Sequence, residues 1–193
     1  MAGAVLMMTG CSNPPSIGGT AGPSSASSTD TAPPGVPNVA HPLDTAAFQK
    51  APCSVLTAAQ LQQLTITAAG KPDLTDPLGP VCHWDNQTGP SKMDLAVYIV
   101  TAGQGLAGIY SQKDTYQVFQ PLPDIEGYPA VTAQNDDPKQ GNCVVSVGVS
   151  NALFVNVLVN LKTGVDAAPD MTNPCPRNRT VAEAVVATIK AGK

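Results

Sequence analysis

The chain has 193 residues, a formal net charge of −4, and only ten lysine and arginine residues, which lie scattered. The sequence has no basic patch interleaved with aromatic residues, so a nucleic acid is not expected as a partner. No apolar run approaches the ~20 residues that cross a bilayer, so membrane attachment would require another device. Residues 48–193 have the length of one ordinary domain.

The first residues resemble the end of a bacterial lipoprotein signal peptide. The small residues Thr9-Gly10 precede Cys11, as a signal peptidase requires, and Met8 stands where Leu is more usual. Residues 1–10 are therefore predicted to be a signal remnant, and Cys11 to carry lipid such as palmitate on the extracytoplasmic side of the cell membrane. The remnant lacks Lys and Arg and its apolar run is short, so we expect that Met1 is not the true start. The alternative is a frayed terminus with a free thiol.

Residues 11–47 are rich in Ser, Thr, Pro and Gly and have almost no large apolar side chains. Such a segment cannot bury enough surface to offset its conformational entropy. It is predicted to be a disordered, partly polyproline linker that spans tens of ångströms. An O-glycosylated stalk is a compatible alternative.

Four further cysteines, an even number, agree with an exported domain that contains two disulfides. They are Cys53, Cys82, Cys143 and Cys175. Three pairings are possible. We favour Cys53 with Cys82 and Cys143 with Cys175, because each bridge would join a strand to the start of a helix. Zinc is disfavoured, because no Cys-x-x-Cys or His-x-x-x-His spacing occurs.

Hydrophobic periodicity and capping signals predict a helix, several strands and a final helix. A capping box at Thr57–Gln60 starts the first helix. Period-two alternation predicts strands, and a short marginal helix follows the second of them. The strands are predicted at 82–84, 93–100, 128–133, 143–150 and 153–160, the last two as a hairpin, and the short helix at 105–110. A second capping box at Thr180–Glu183 precedes the stripe Val181, Val185 and Ile189. The fold class is α+β, with a single mainly antiparallel sheet packed with helices.

Several of these segments resemble the actinobacterial lipoproteins of domain of unknown function family 3558. The resemblance spans nearly the whole folded domain. Its most specific parts are the four cysteine positions and the motif Gly127-Tyr128-Pro129-Ala130-Val131, and it extends over Cys82-His83-Trp84 and Gly141-Asn142-Cys143. It implies an exported lipoprotein domain with two disulfides, a shape related to the PsbP-like fold, and no established activity.

Candidate catalytic residues are few, and each has a simpler structural interpretation. His41 lies in the linker, and His83 is more economically a structural or solvent-facing residue beside a disulfide. Asp136-Asp137 precedes a proline and is typical of a solvated turn. Trp84 is expected to pack in the core. We therefore expect no enzyme activity, no cofactor and no metal site.

Three function classes remain open. The first is a lipid-tethered binding or scaffold module that recognises another envelope protein or a wall polymer. The second is a carrier of an apolar or lipid ligand, whose cavity the valine-rich sheet would line. The third, a hydrolase, is disfavoured by the shortage of His and Glu.

Overall fold

Seven strands form one antiparallel sheet in the order β1-β2-β3-β7-β6-β5-β4, which confirms the predicted fold class. The structure is a computed structural model that describes residues 32–192, so the predicted signal remnant, Cys11 and the first part of the linker lie outside the described residues. The strands are β1 Lys71–Asp73, β2 Val81–Trp84, β3 Met93–Val100, β4 Val118–Ile125, β5 Tyr128–Gln134, β6 Asn142–Gly148 and β7 Phe154–Leu161. The helices are α1 Ala46–Lys50, α2 Ala58–Gln63, α3 Leu106–Ser111 and α4 Cys175–Lys190, with short 3-10 helices at Pro52–Val55, Lys113–Thr115 and Pro138–Gln140.

The main hydrophobic core lies between one face of the sheet and α4. Alternate residues of β3, β6 and β7 point into it, and Val97 and Val157 are fully buried. The predicted stripe of α4, formed by Val181, Val185 and Ile189, packs against them and is at most 2% exposed. Each such valine or isoleucine contributes about 1.5–3 kcal/mol when it is fully buried. This inner face therefore stabilises the domain.

Both edge strands were missed by the sequence analysis, and their composition explains why. β4 contains Pro121 and Pro123, and β1 has three residues with Pro72 at its centre. Proline cannot donate to a strand ladder, so it is confined to edges and blocks the addition of a further strand. The same prolines hide the strands from a period-two search and protect the sheet from edge-to-edge association.

The capping box predicted for α2 is confirmed. The Gln60 backbone N–H donates to Thr57 Oγ1 at 3.3 Å, and the Thr57 N–H donates to Gln60 Oε1 at 2.7 Å. These two bonds satisfy donors that a helix leaves unpaired at its start.

The second predicted capping box, at Thr180–Glu183, is wrong because α4 begins five residues earlier, at Cys175. Pro176 lies in its first turn, where the fixed φ of proline favours a helix and its missing N–H costs nothing. The Thr180 hydroxyl instead donates to the Pro176 carbonyl at 3.3 Å, and Glu183 accepts from Arg179 at 2.9 Å. Arg179 therefore lies within the helix, ahead of the predicted start.

The structure contains the two favoured disulfides. Cys53 in the first 3-10 helix is bridged to Cys82 of β2, with Cα atoms 5.0 Å apart. Cys143 of β6 is bridged to Cys175 at the start of α4, with Cα atoms 5.2 Å apart. As predicted, each bridge joins a strand to the beginning of a helical segment.

Trp84 packs beside the first disulfide and is 1% exposed, which confirms its predicted core position. The contact is close at Gly70. An added Cβ at this glycine would lie 2.8 Å from Cys82 Sγ and 2.9 Å from Trp84 Nε1. No residue with a side chain fits there without displacing the disulfide or the indole ring.

Residues 33–45, which we call the strap, were predicted to belong to the linker but lie against the folded domain. Val39 is 5% exposed within the main core, and the Leu43 N–H donates to the Val149 carbonyl at 2.8 Å. The Tyr128 hydroxyl donates to the His41 carbonyl at 3.0 Å. The folded part therefore begins before residue 48. Composition did not reveal this, because the strap is held by three scattered apolar side chains and by hydrogen bonds to distant residues such as Asn151.

Candidate binding surface

The outer face of the sheet differs from the inner one in chemistry and exposure. Across β2, β3, β7 and β6 it presents side chains that are mostly half-buried, in alternation with the fully buried core residues. We call this set of ten residues the open face. Its members are His83, Asp94, Ala96, Tyr98, Asn142, Val144, Ser146, Asn156, Leu158 and Asn160.

The first row of the open face consists of one carboxylate and two linked amides. Asp94, Asn160 and Asn142 stand directly opposite one another on β3, β7 and β6. The Gln87 side-chain amide donates to Asn160 Oδ1 at 2.8 Å, and Asn160 Nδ2 donates to Asn142 Oδ1 at 2.7 Å. The row is therefore a fixed array of polar groups rather than a set of independent side chains.

The second row is apolar. It runs from Ala96 through Leu158 to Val144, and His83 lies opposite Ala96 on β2. Two shallow clefts of about 340 and 320 Å³ flank this row, and Leu158 lines both of them. The two clefts therefore adjoin at Leu158.

The third row contains Tyr98, Asn156 and Ser146, and the Ser146 hydroxyl donates to Asn156 Oδ1 at 3.0 Å. The Tyr98 ring meets His83 edge-on, with ring centroids 6.0 Å apart. Partial burial raises the pKa of Tyr98 above its ordinary value of 10.0, and the nearby acidic residues add to this effect. Tyr98 therefore presents a neutral hydroxyl at physiological pH.

Charged groups around the open face are already engaged. Lys71 and Asp85 form an exposed ion pair at 2.6 Å. Their hydrogen bond raises the pKa of Lys71 and lowers the pKa of Asp85. Asp94 Oδ1 accepts the backbone N–H groups of Asn86 and Gln87 at 2.8 and 3.1 Å. The ion pair and the Asp94 contacts therefore serve the fold.

A second concavity, of about 590 Å³, lies between the strap and the β4–β5 turn. Glu126 and Gly127 form that turn with positive φ angles of 54° and 84°, as a tight two-residue hairpin requires. Lys190 Nζ donates to the Glu126 carbonyl at 2.8 Å and lies 5.9 Å from the Tyr128 ring centroid. Tyr128 in turn holds the strap through His41. The Gly-Tyr-Pro-Ala-Val motif is thus explained as a turn and a clasp for the strap.

The comparison with known protein families bears on these features. The model of the family described as "Protein of unknown function (DUF3558)" matches residues 6–188. The chain belongs to this family. The resemblance seen in the sequence is confirmed at the level of the family, and the PsbP-like shape stays a prediction. No curated protein and no solved structure matches the chain.

In this DUF3558 protein, the predicted candidate residues do not converge on one site. His83 lies half-buried on the open face, whereas Asp137 accepts the Lys139 N–H at 3.0 Å and so caps a 3-10 helix. His41 contacts Tyr128 through its backbone carbonyl. Within residues 32–192, no three His, Cys, Asp or Glu side chains are grouped as metal ligands would be. None of the helices in that range is long and apolar enough to cross a bilayer.

Two buried asparagines have structural roles that the sequence analysis missed. Both begin an Asn-x-Ser/Thr sequon, yet Asn86 is 2% and Asn178 0% exposed. Asn86 Oδ1 accepts the Thr67 and Ala68 N–H groups, and so joins two loops. Asn178 Nδ2 donates to carbonyls of β6 and β7 at 2.6 and 2.9 Å, and so ties α4 to the sheet. Neither amide is accessible for glycosylation in the folded domain.

Proposed function

We propose that the protein is a lipid-anchored extracytoplasmic binding module of the cell envelope that uses the open face to hold an envelope component. One observation carries this proposal. The sheet buries its inner face under α4. On the outer face α3 covers part of β5 and the end of β6, while amide, aromatic and aliphatic side chains stay mostly half-buried across β2, β3, β7 and the start of β6. An ordered surface of this kind, with polar groups fixed by their neighbours, is suited to recognition.

The proposed anchor is consistent with the route of the strap. Residues 33–36 lie beside α3, on the outer side of the sheet. The predicted linker to Cys11 therefore joins the domain on this side. Cys11 is separated from Ala32 by 21 positions, which as a random coil would span about 25 Å. A lipid on Cys11 would therefore keep the open face near the membrane and the adjoining wall.

The alternative function, a carrier of an apolar ligand, is less well supported. A carrier needs apolar surface that is free to line a cavity. Here the valine-rich inner face is filled by side chains of α4, among them Val181 and Val185, which have no exposed surface. The third class, a hydrolase, would need converging acid, base or nucleophile groups, and residues 32–192 bring no such set together around His83.

Retention of the protein in the cell wall tests the proposed function. The chain is exported from a secretory signal with Cys11→Ser, so that no lipid holds it, and its share in the wall fraction is measured. Leu158→Arg adds a charge at the centre of the open face. Val165→Arg makes the same change at a residue that is 87% exposed on the loop after β7. We expect Leu158→Arg to release the protein into the medium and Val165→Arg to leave it retained. Equal release of both variants would contradict the proposal.

A further inference from the structure

We infer that the open face binds an uncharged polysaccharide, whose sugar rings lie across β3, β7 and β6. This inference rests on the proposed function and names the chemical class of its ligand. The juxtaposition that carries it is an apolar row between two rows of amides and hydroxyls, on one face of a rigid sheet.

The polar rows supply the hydrogen bonds that a polyol requires. Asn142, Asn156 and Asn160 each have a carbonyl oxygen with two lone pairs and two N–H donors. The bonds within the rows orient these amides, and an amide with one or two such bonds keeps further capacity. Tyr98 adds a half-buried hydroxyl, which both donates and accepts, whereas Ser146 is 2% exposed and serves to orient Asn156. A sugar hydroxyl has the same dual character.

The apolar row supplies the complementary surface for the C–H groups of a sugar ring. Ala96, Leu158 and Val144 form a strip whose neighbours on the same face lie about 7 Å away along each strand. The ring of Tyr98 stands at one side of the strip and that of His83 at its end. A pyranose or furanose ring has hydroxyls at its rim and apolar C–H groups on its faces. Its faces could therefore pack on the apolar row while its hydroxyls reach the polar rows on either side.

Charge complementarity favours an uncharged polymer over a charged one. The face carries Asp94, and the exposed pair Lys71–Asp85 lies at its edge. Asp73 and Asp76 lie near Tyr98, and the whole chain has a charge of −4. An anionic glycan or an anionic lipid surface would be repelled. A basic protein segment would meet one carboxylate within the rows, Asp94, whose Oδ1 already accepts two backbone N–H groups, whereas the rows offer four partly or fully exposed neutral polar side chains.

The shape of the surface indicates side-on binding of a chain. The two clefts that meet at Leu158 are open and together cross β2, β3, β7 and β6, a width of about 14 Å. Such a surface accommodates an internal segment of a long polymer rather than a chain end. Shallow contact gives a weak single-site affinity, in the range of about 0.1–10 mM.

The inference is tested by NMR titration of the full-length, oxidised chain carrying Cys11→Ser. The probes are three neutral hexasaccharides, of glucose, mannose and arabinose, with a hyaluronate hexasaccharide and hexalysine as charged comparisons. We expect a neutral probe to shift amides of β3, β7 and β6 in a saturable manner, and the charged probes to leave them unchanged. Shifts with hexalysine or hyaluronate alone would overturn the inference, as would no shift with any neutral probe.

Variants locate the site. Tyr98→Ala should weaken binding about tenfold through the loss of the ring, and Asn156→Ala about fivefold through the loss of its amide. Asn173→Ala, a matched change at an exposed asparagine before α4, should leave the affinity unchanged. Equal effects of Asn156→Ala and Asn173→Ala would overturn the inference. If no neutral glycan binds while Leu158→Arg still abolishes wall retention, only the ligand class is wrong. If no neutral glycan binds and Leu158→Arg is retained in the wall, the proposed function is wrong as well.

Discussion

Removal of the Cys143–Cys175 bridge should destabilise the domain by an amount that loop closure determines. The bridge spans 32 positions and joins the buried Cys143 of β6 to the first residue of α4. Closing a loop of this length lowers the conformational entropy of the unfolded chain, which stabilises the folded state by about 3.7 kcal/mol. Cys143→Ala with Cys175→Ala should therefore lower the free energy of unfolding by about 3–5 kcal/mol, including the small void left in the core. For a domain of this size, the melting temperature should fall by about 7–15 °C.

Urea unfolding followed by circular dichroism measures this change, and the other bridge provides a matched comparison. Cys53 and Cys82 are 29 positions apart. Their double alanine variant should therefore lose almost the same loop-closure free energy, about 3.6 kcal/mol. A loss below about 1 kcal/mol in the first variant would refute the loop-closure reasoning. Peptide mapping without reduction should recover both bridges as paired in the structure. A Cys53–Cys175 peptide would refute the pairing itself.

Four further results are expected. Tyr128→Phe removes the hydrogen bond to the His41 carbonyl and should cost about 1 kcal/mol in unfolding experiments and make the strap more sensitive to protease; an unchanged digestion rate would show that the clasp does not hold it. Asn86→Ala leaves buried donors unpaired and should cost about 2–4 kcal/mol by chemical denaturation, and a neutral effect would contradict its structural role. Behind a complete lipoprotein signal, the chain should enter the detergent phase of a cloud-point separation, whereas a Cys11→Ser form behind a secretory signal should stay aqueous. Because the pKa of Tyr98 is raised in the folded state, stability should fall as pH rises above about 10, and Tyr98→Phe should reduce that fall in an alkaline unfolding series.

The parts of the fold that follow from local pattern could be predicted from the sequence. The hairpin of β6 and β7 was predicted because valines recur at every second position of each strand, which is typical of a strand with one face in the core. The α2 capping box was predicted because its two side chains act within one turn. The edge strands β1 and β4 could not be predicted, because a proline-bearing edge strand need not alternate. The strap was missed because Val39 and Leu43 contact distant parts of the chain.

The candidate site could be predicted only in part. Alternation in β7 already placed Asn156, Leu158 and Asn160 on one face, opposite the valines. It could not show whether a helix covers that face, because coverage depends on where α3 and α4 pack. The structural roles of the buried Asn86 and Asn178 also depend on long-range contacts. Their sequons do not distinguish an asparagine that hydrogen-bonds to the backbone of another segment from one that is glycosylated.

The measurement that most directly tests the central claim is hydroxyl-radical footprinting of the lipidated protein, in intact envelopes and after release in detergent. Tyr98 and Leu158 report on the open face, and the exposed Leu74 and Val165 serve as internal references. The account predicts that oxidation of Tyr98 and Leu158 is severalfold lower in the envelope, while the two references are oxidised equally in both samples. Equal oxidation of Tyr98 and Leu158 in both samples would contradict the claim that the open face holds an envelope component.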